Sequence, residues 1–388
     1  MIKLLFWASA AFVFYVYVGY PLLIWFLQLF TKPPDENEAI QPSVSLLIAA
    51  YNEGEVIAEK LRNSLALDYP ADRLEIVVAS DGSQDSTCQI VRSIASREGR
   101  RRIRLLEFAE NRGKVAALNE AVPQLRGDII VFSDASSMLQ PESLQRLARH
   151  FADSSVGGVS GVYRVVKSDQ ATLAGQEDLY WKYETFLKVC EARLGGFTGA
   201  HGSLYAVRRS LYPFPSPDII NDDFVIPLRI QNRGYRIAYE PSAVAYEQAH
   251  EMEGFSRRVR ITAGNVEQLK EIAFTLWPLK PLAAFCLLSH KTCRLAVPPA
   301  MLLLLIANLA LLPRPLYMSL LVAQSCFYAL AVFGGAGLLR HRVLKLPYYF
   351  CMVNSALFAW MYHALRLRRP IPSRIELDRI GDRSSTAR

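Results

Sequence analysis

The sequence predicts an α/β protein: a doubly wound, mainly parallel sheet set between membrane-seeking segments at both ends of the chain. Three observations predict it. From Val44 to Phe132, short apolar runs alternate with segments of helical spacing, the pattern of strands joined by right-handed helical crossovers. Two of those runs end at acidic residues, Asp81 and Asp134, where open α/β sheets bind ligands. The chain of 388 residues is 51% hydrophobic, and that excess lies mostly at its two ends.

Leu4–Phe30 is long enough to cross a bilayer, carries no charge and includes Trp7, Tyr20 and Trp25. A signal peptide is the alternative, but the run is too long and no small-residue cleavage site precedes Thr31. Residues 31–42 are polar and proline-bearing and read as a linker. Within 43–270 the expected order is strand Val44–Ala50, helix Glu55–Leu67, strand Leu74–Ala79, helix Asp85–Arg97, strand Ile103–Phe108, helix Lys114–Leu125 and strand Asp128–Phe132. Helix Pro141–Phe151, strand Val156–Val162 and a long amphipathic helix Gln170–Arg193 follow. A glycine-rich stretch Gly195–Gly202, a short helix Phe224–Asn232 and two strand-like pieces, Arg236–Tyr239 and Ala243–Tyr246, complete the unit.

Residues 271–294 contain Trp277, Pro278, Lys280 and Pro281, which predict an interfacial helix rather than a span. Leu295–Leu312 and Leu316–Leu339 read as spans, Tyr348–Leu365 as a third candidate, and 366–388 as a basic tail. With the globular part cytoplasmic, two carboxyl-terminal spans return Arg340 to the cytoplasm, as positive charge prefers. A third full span would export the arginine-rich tail, so Tyr348–Leu365 is expected in or re-entering the interface.

The net charge of +8 admits nucleic acid as a partner. The apolar ends account for it better, because membrane proteins with cytosolic faces are also basic. Six cysteines without paired spacing predict reduced thiols and neither a disulfide framework nor a metal cluster.

The strand ends carry the candidate chemistry. Ala50-Tyr51-Asn52-Glu53 closes the first strand, Asp81-Gly82-Ser83 the second and Asp134-Ala135-Ser136 the fourth, positions that such a sheet can bring together. Each Asp can cap a turn, or hold a divalent metal that neutralises a diphosphate. Arg112-Gly113-Lys114 opens a helix, so backbone N–H groups and a cation can face phosphates. Neither the phosphate loop of nucleoside triphosphatases nor the dinucleotide fingerprint is present, so nucleotide binding here needs carboxylates and a metal.

With these motifs in order, the chain resembles the family 2 glycosyltransferases, inverting enzymes with the GT-A fold. The match runs through Val44–Glu53, Ser80–Asp85, Asn111–Asn119, Val131–Ser136, Gly199–Arg209, Asn221–Phe224, Gly234–Glu240 and Arg257–Gly264. The resemblance implies that Ala50, Tyr51 and Glu53 line a nucleoside pocket, Asp81 contacts uracil, Lys114 approaches the diphosphate and Asp134 binds the metal. It implies that Asp223, with Asp222 beside it, supplies the general base; Arg257 and Arg260, as guanidinium groups, can clamp the donor diphosphate. A divalent cation, Mg2+ or Mn2+, and a UDP-sugar donor follow from it, with a glycan or lipid-linked acceptor, membrane lipid as surroundings and no nucleic acid.

Two departures stand out. The family's Asp-x-Asp is Asp134-Ala135-Ser136, one carboxylate short; a water or His250 can complete the shell. The Gln-x-x-Arg-Trp motif of processive members is Arg257-Arg258-Val259-Arg260-Ile261, which weakens the expectation of a processive synthase and leaves open a solvated basic face. His201, among glycines, suits a structural hydrogen bond as well as acceptor contact. Tyr180 and Trp181 sit on a helix where packing is the default, though aromatic faces also suit an acceptor sugar. The function expected is a membrane-integral transferase of polysaccharide biosynthesis. Its rivals are a polyprenyl-phosphate sugar synthase and an inactive sugar- or nucleotide-binding regulator.

Overall fold

The computed structural model describes residues 1–31, 40–98, 102–166, 174–196, 199–248, 254–275, 281–339, 341 and 343–366. Its centre is one eight-stranded sheet: β1 Val44–Ala50, β2 Leu74–Asp81, β3 Ile103–Phe108, β4 Ile129–Asp134, β5 Met138–Leu139, β6 Val156–Val166, β7 Tyr205–Arg208 and β8 Arg236–Gln248. The spatial order is β3-β2-β1-β4-β7-β6-β8-β5. β1 to β4 pair in parallel, and β1, β2 and β4 are almost wholly buried because the two core clusters cover both faces, whereas the edge strand β3 carries Arg104 and Glu107.

Register assembles the site. Ala50 pairs with Ser80 and Ala49 with Asp134, so the carboxyl ends of β1, β2 and β4 share one edge. β7 runs antiparallel to β4, with Phe132 opposite Tyr205. It therefore begins where β4 ends, and the glycine-rich stretch before it is delivered to Asp134. Phe132 and Tyr205 stack at 4.6 Å between ring centroids and fix that junction. The second half of the sheet is mixed: β6 pairs antiparallel with β7 and parallel with β8. The two strand-like pieces expected after Arg236 are one strand, β8, with a register shift between Ser160 and Val162 of its partner β6.

The helix expected at Phe224 starts earlier, spanning Asp222–Asn232, so both acids lie in its first turn, where carboxylates suit the helix dipole. Lys60, on the helix Ile57–Leu65, is fully buried. Its ammonium donates to Ser133 Oγ at 2.7 Å and to the carbonyl of Ser137, tying down both ends of the Asp134 loop. Burial pushes this lysine down to about 7, against the pull of Asp134.

Among the described residues three helices are long and apolar enough to cross a membrane: Ile2–Gln28, Pro281–Leu309 and Pro315–Gly335. The second corrects the expected organisation. The interfacial segment and first carboxyl-terminal span do not divide at Leu295; residues 281–309 form one helical run. Pro281 is its first residue, where a missing N–H costs nothing. Ile272 belongs instead to the helix Gly254–Thr275, and residues 276–280 lie outside the described part. The third expected candidate forms a helix, Leu346–Arg366, which is not among the three.

Candidate active site

The loop after β1 is clasped to the loop after β2. Asn52, at φ 53°, donates its backbone N–H to Ser83 Oγ at 3.1 Å and accepts from Gln84 N–H through its side chain at 2.8 Å. Glu53 N–H reaches Thr87 Oγ1 at 2.8 Å and Gly54 N–H reaches Asp85 Oδ2 at 2.9 Å. Ala50, Tyr51 and Glu53 line the cavity beside this clasp, and Tyr51 remains 45% exposed, a free ring at its mouth.

Asp81 is buried, and its oxygens accept Arg112 N–H at 3.0 Å and Gly113 N–H at 2.8 Å. In this state it braces the start of the helix Lys114–Ala121; its second lone pairs are what a base could still use. Gly113 sits at φ 95°, a conformation that favours glycine, and this turn aims Lys114 inward. Lys114 Nζ lies 2.9 Å from Asp134 Oδ1 and 3.3 Å from Asp222 Oδ1. Those carboxylates outweigh burial and hold the lysine charged well above neutrality.

The acidic pair divides its work. Asp222 is buried and engaged on both oxygens, by Lys114 and by the Tyr205 hydroxyl at 2.8 Å. Asp223 faces the cavity. A Cβ placed on Gly202 would stand 3.5 Å from Asp223 Oδ2 and 3.8 Å from Asp134 Oδ2. The two carboxylates therefore look onto one gap, kept open by the absence of a side chain at Gly202. Burial, then the neighbouring Asp222, raise Asp223 to about 6, although Lys188, Lys114 and Lys291 pull it down.

Arg260 lines the same cavity. Arg257 belongs to the helix Gly254–Thr275, but its side chain lies outside the described residues. The residue between them in sequence, Arg258, is buried and packs over Tyr180, Tyr349 and Trp181 at 4.8, 5.5 and 5.7 Å, with a hydrogen bond to the Tyr349 hydroxyl. Tyr180 and Trp181 thus pack and also line the cavity. The His201 ring is enclosed by Trp181, Tyr239 and Tyr163, and its backbone N–H donates to Ser160 Oγ at 3.2 Å. Burial, reinforced by Lys188, keeps it neutral.

The family described as Glycosyltransferase like family 2 matches residues 42–262, more than half of the chain. This chain belongs to glycosyltransferase family 2. It is an enzyme, a glycosyltransferase, and its sheet is of the GT-A kind. Poly-beta-1,6-N-acetyl-D-glucosamine synthase of Staphylococcus aureus (strain COL) is 27% identical over 266 residues, 67% of this chain and 63% of that protein. The alignment thus spans less than two thirds of that relative's length. The mannosyltransferase PcManGT from Pyrobaculum calidifontis, solved with GDP-Man and Mn2+, superposes with a TM-score of 0.77 at 25% identity, over 94% of this chain and 99% of that one.

Beside Ser136, where the family's second carboxylate is missing, stands an acid from another strand. Ser136 Oγ donates to Glu247 Oε1 at 2.8 Å. The short strand β5 follows the Asp134 loop and pairs Met138 with Tyr246, so Glu247 arrives at the loop from β8. His250 lies outside the described residues. Among the described residues no three His, Cys, Asp or Glu side chains form a cage for a metal. Mg2+ in phosphate-transferring sites is commonly held by one or two carboxylates, with substrate phosphates supplying the rest. Asp134 with Glu247 fits that pattern.

Proposed function

We propose that this family 2 enzyme transfers a sugar from a nucleotide-sugar, a UDP-sugar on the sequence reading, to a hydroxyl of a glycan or lipid-linked acceptor at a membrane, its catalytic domain on the cytoplasmic side. The observation that carries it is the gap at Gly202, onto which a metal-type carboxylate and an uncommitted acid, Asp134 and Asp223, both face. In the reaction, Asp223 takes the proton of the acceptor hydroxyl. The oxygen forms a bond to the anomeric carbon from the face opposite the nucleotide, and the bond from that carbon to the diphosphate oxygen breaks. The nucleoside diphosphate leaves with the bonding electron pair.

Asp134 and Glu247 would hold the divalent ion, which when bound would neutralise charge on the departing diphosphate. Lys114 adds a cation beside it, and Arg260 lines the cavity for the same task. Asp222 fixes Lys114 and the first turn of its own helix. A polyprenyl-phosphate synthase needs no strong base, and the elevation of Asp223 favours the hydroxyl acceptor.

The experiment is nucleoside diphosphate release by the purified full-length protein from a panel of UDP- and GDP-sugars, with product length read alongside. Release from one donor on adding acceptor supports the reading; no release from any donor, with or without Mn2+, refutes it. The acid limb of kcat/KM should follow Asp223. Below about 6 the carboxyl is protonated and cannot accept the acceptor proton, so the rate rises with pH through that value. A flat profile between about pH 5 and 7, roughly one unit either side of that value, would remove Asp223 from the role.

A further inference from the structure

The cavity does not end at the catalytic acids. Its volume is about 1180 Å³, more than the roughly 300–1,000 Å³ usual for one small ligand. Beyond Asp223 it continues between three helices of the apolar part. Lys291, Arg294, Leu295 and Pro298 share one face of the run Pro281–Leu309 by helical spacing, and all four line it. Along that face the lining passes from cations to apolar groups. Opposite stand Tyr17, Val353 and Leu357, with the Tyr17 hydroxyl accepting from Asn354 Nδ2 at 3.2 Å. The two facing helices each carry a π turn, Tyr15–Gly19 and Leu288–Thr292, joined by a hydrogen bond between Tyr15 and Ser289 at 2.8 Å. Such turns recur at functional sites.

The basic side chains at the junction are not equivalent. His290 lies 2.7 Å from Glu191 and 3.0 Å from Glu184, and Arg294 is 2.7 Å from Glu184. Lys188 and Lys291 make no ion pair among the described residues. Lys188 Nζ donates only to the carbonyl of Ala200 at 3.1 Å. Lys291 Nζ lies 5.9 Å from the centre of the Phe224 ring and 3.8 Å from where a Cβ on Gly199 would stand. Both face Asp223 and act on its charge. A buried ammonium and a half-buried one, neither in an ion pair among the described residues and both next to an apolar passage, match an anion that carries a hydrocarbon chain.

We propose that the acceptor is presented by a lipid phosphate. Its phosphate rests on Lys188 and Lys291, its chain leaves past Leu295, Pro298 and Leu357, and the hydroxyl of the glycan it carries meets Asp223. This rests on the transferase reading above and names its acceptor class.

The test uses the full-length protein in detergent micelles, titrated with farnesyl phosphate, farnesol or inorganic phosphate and followed by native mass spectrometry. UDP and GDP binding with Mn2+ is measured on the same samples. Farnesyl phosphate should bind more tightly than farnesol or inorganic phosphate. Lys291→Gln should weaken it by about ten- to a hundred-fold, the loss expected for one hydrogen bond to a charged group, while nucleotide affinity is retained. Leu357→Trp, which fills the passage and leaves the lysines in place, should weaken farnesyl phosphate and spare inorganic phosphate. Equal binding of farnesyl phosphate and farnesol, or equal binding of farnesyl phosphate and inorganic phosphate, overturns the proposal. So does unchanged farnesyl phosphate binding in both variants. Those results with nucleotide binding intact leave the transferase reading standing; failure of the wild type to bind any nucleotide contradicts that reading itself.

Discussion

Asp223→Asn should leave donor affinity nearly unchanged and lower turnover by about 10²–10⁴-fold, the usual range for losing a general base. The amide has the same shape as the carboxyl and keeps the helix start intact, but it cannot take a proton. Asp222→Asn should behave differently. Asp222 is held by Lys114 at 3.3 Å and by Tyr205 at 2.8 Å, so its loss should loosen Lys114 and weaken donor binding more than it slows chemistry. Calorimetric donor affinity beside single-turnover rates separates the two. If Asp223→Asn loses donor affinity and Asp222→Asn loses only rate, the two roles are exchanged.

Asp134→Ala should abolish turnover and remove the Mn2+ dependence of donor binding, while the protein stays folded. Lys114 keeps Asp222 as its partner when Asp134 is gone, so no buried cation is stranded. Asp134→Asn should fail as well, since the metal needs the charge. Glu247→Gln should weaken Mn2+ binding in the presence of nucleoside diphosphate by a smaller factor, because Ser136 and the backbone of β8 still hold the side chain near the loop. Electron paramagnetic resonance of Mn2+ reads this without turnover. Full activity of Asp134→Ala in the presence of a chelator would discard the metal role.

The legible part of the site was the part written at strand ends. Asp81, Asp134 and the acidic pair at Asp222 each close or follow a local element, and parallel register alone brings the first two to one edge. What escaped the sequence is what tertiary pairing delivers. Glu247 follows the strand-like piece Ala243–Tyr246 with no motif around it; only the pairing of β5 with β8 carries it to Ser136. Lys60 lies on an amphipathic helix where a lysine reads as solvent-facing, yet Ser133 and Ser137 hold it inside. Arg258 sat between two arginines assigned to the donor, and the helix turns it toward Tyr180 and Tyr349 instead. The break expected near Leu295 failed for a related reason. The polar residues His290, Lys291 and Arg294 read as an interface, but they line a cavity with Glu184 and Lys188, and Glu184 lies within 3.0 Å of His290 and 2.7 Å of Arg294.

The central claim is a single displacement at the anomeric carbon with Asp223 as base, and the configuration of the product tests it most directly. The transferred sugar's anomeric proton, followed by nuclear magnetic resonance from the first turnovers of an α-linked donor, should report a β-linked product. An α-linked first product would contradict the account, because retention requires a second displacement for which the arrangement of Asp134, Asp222 and Asp223 has been given no part.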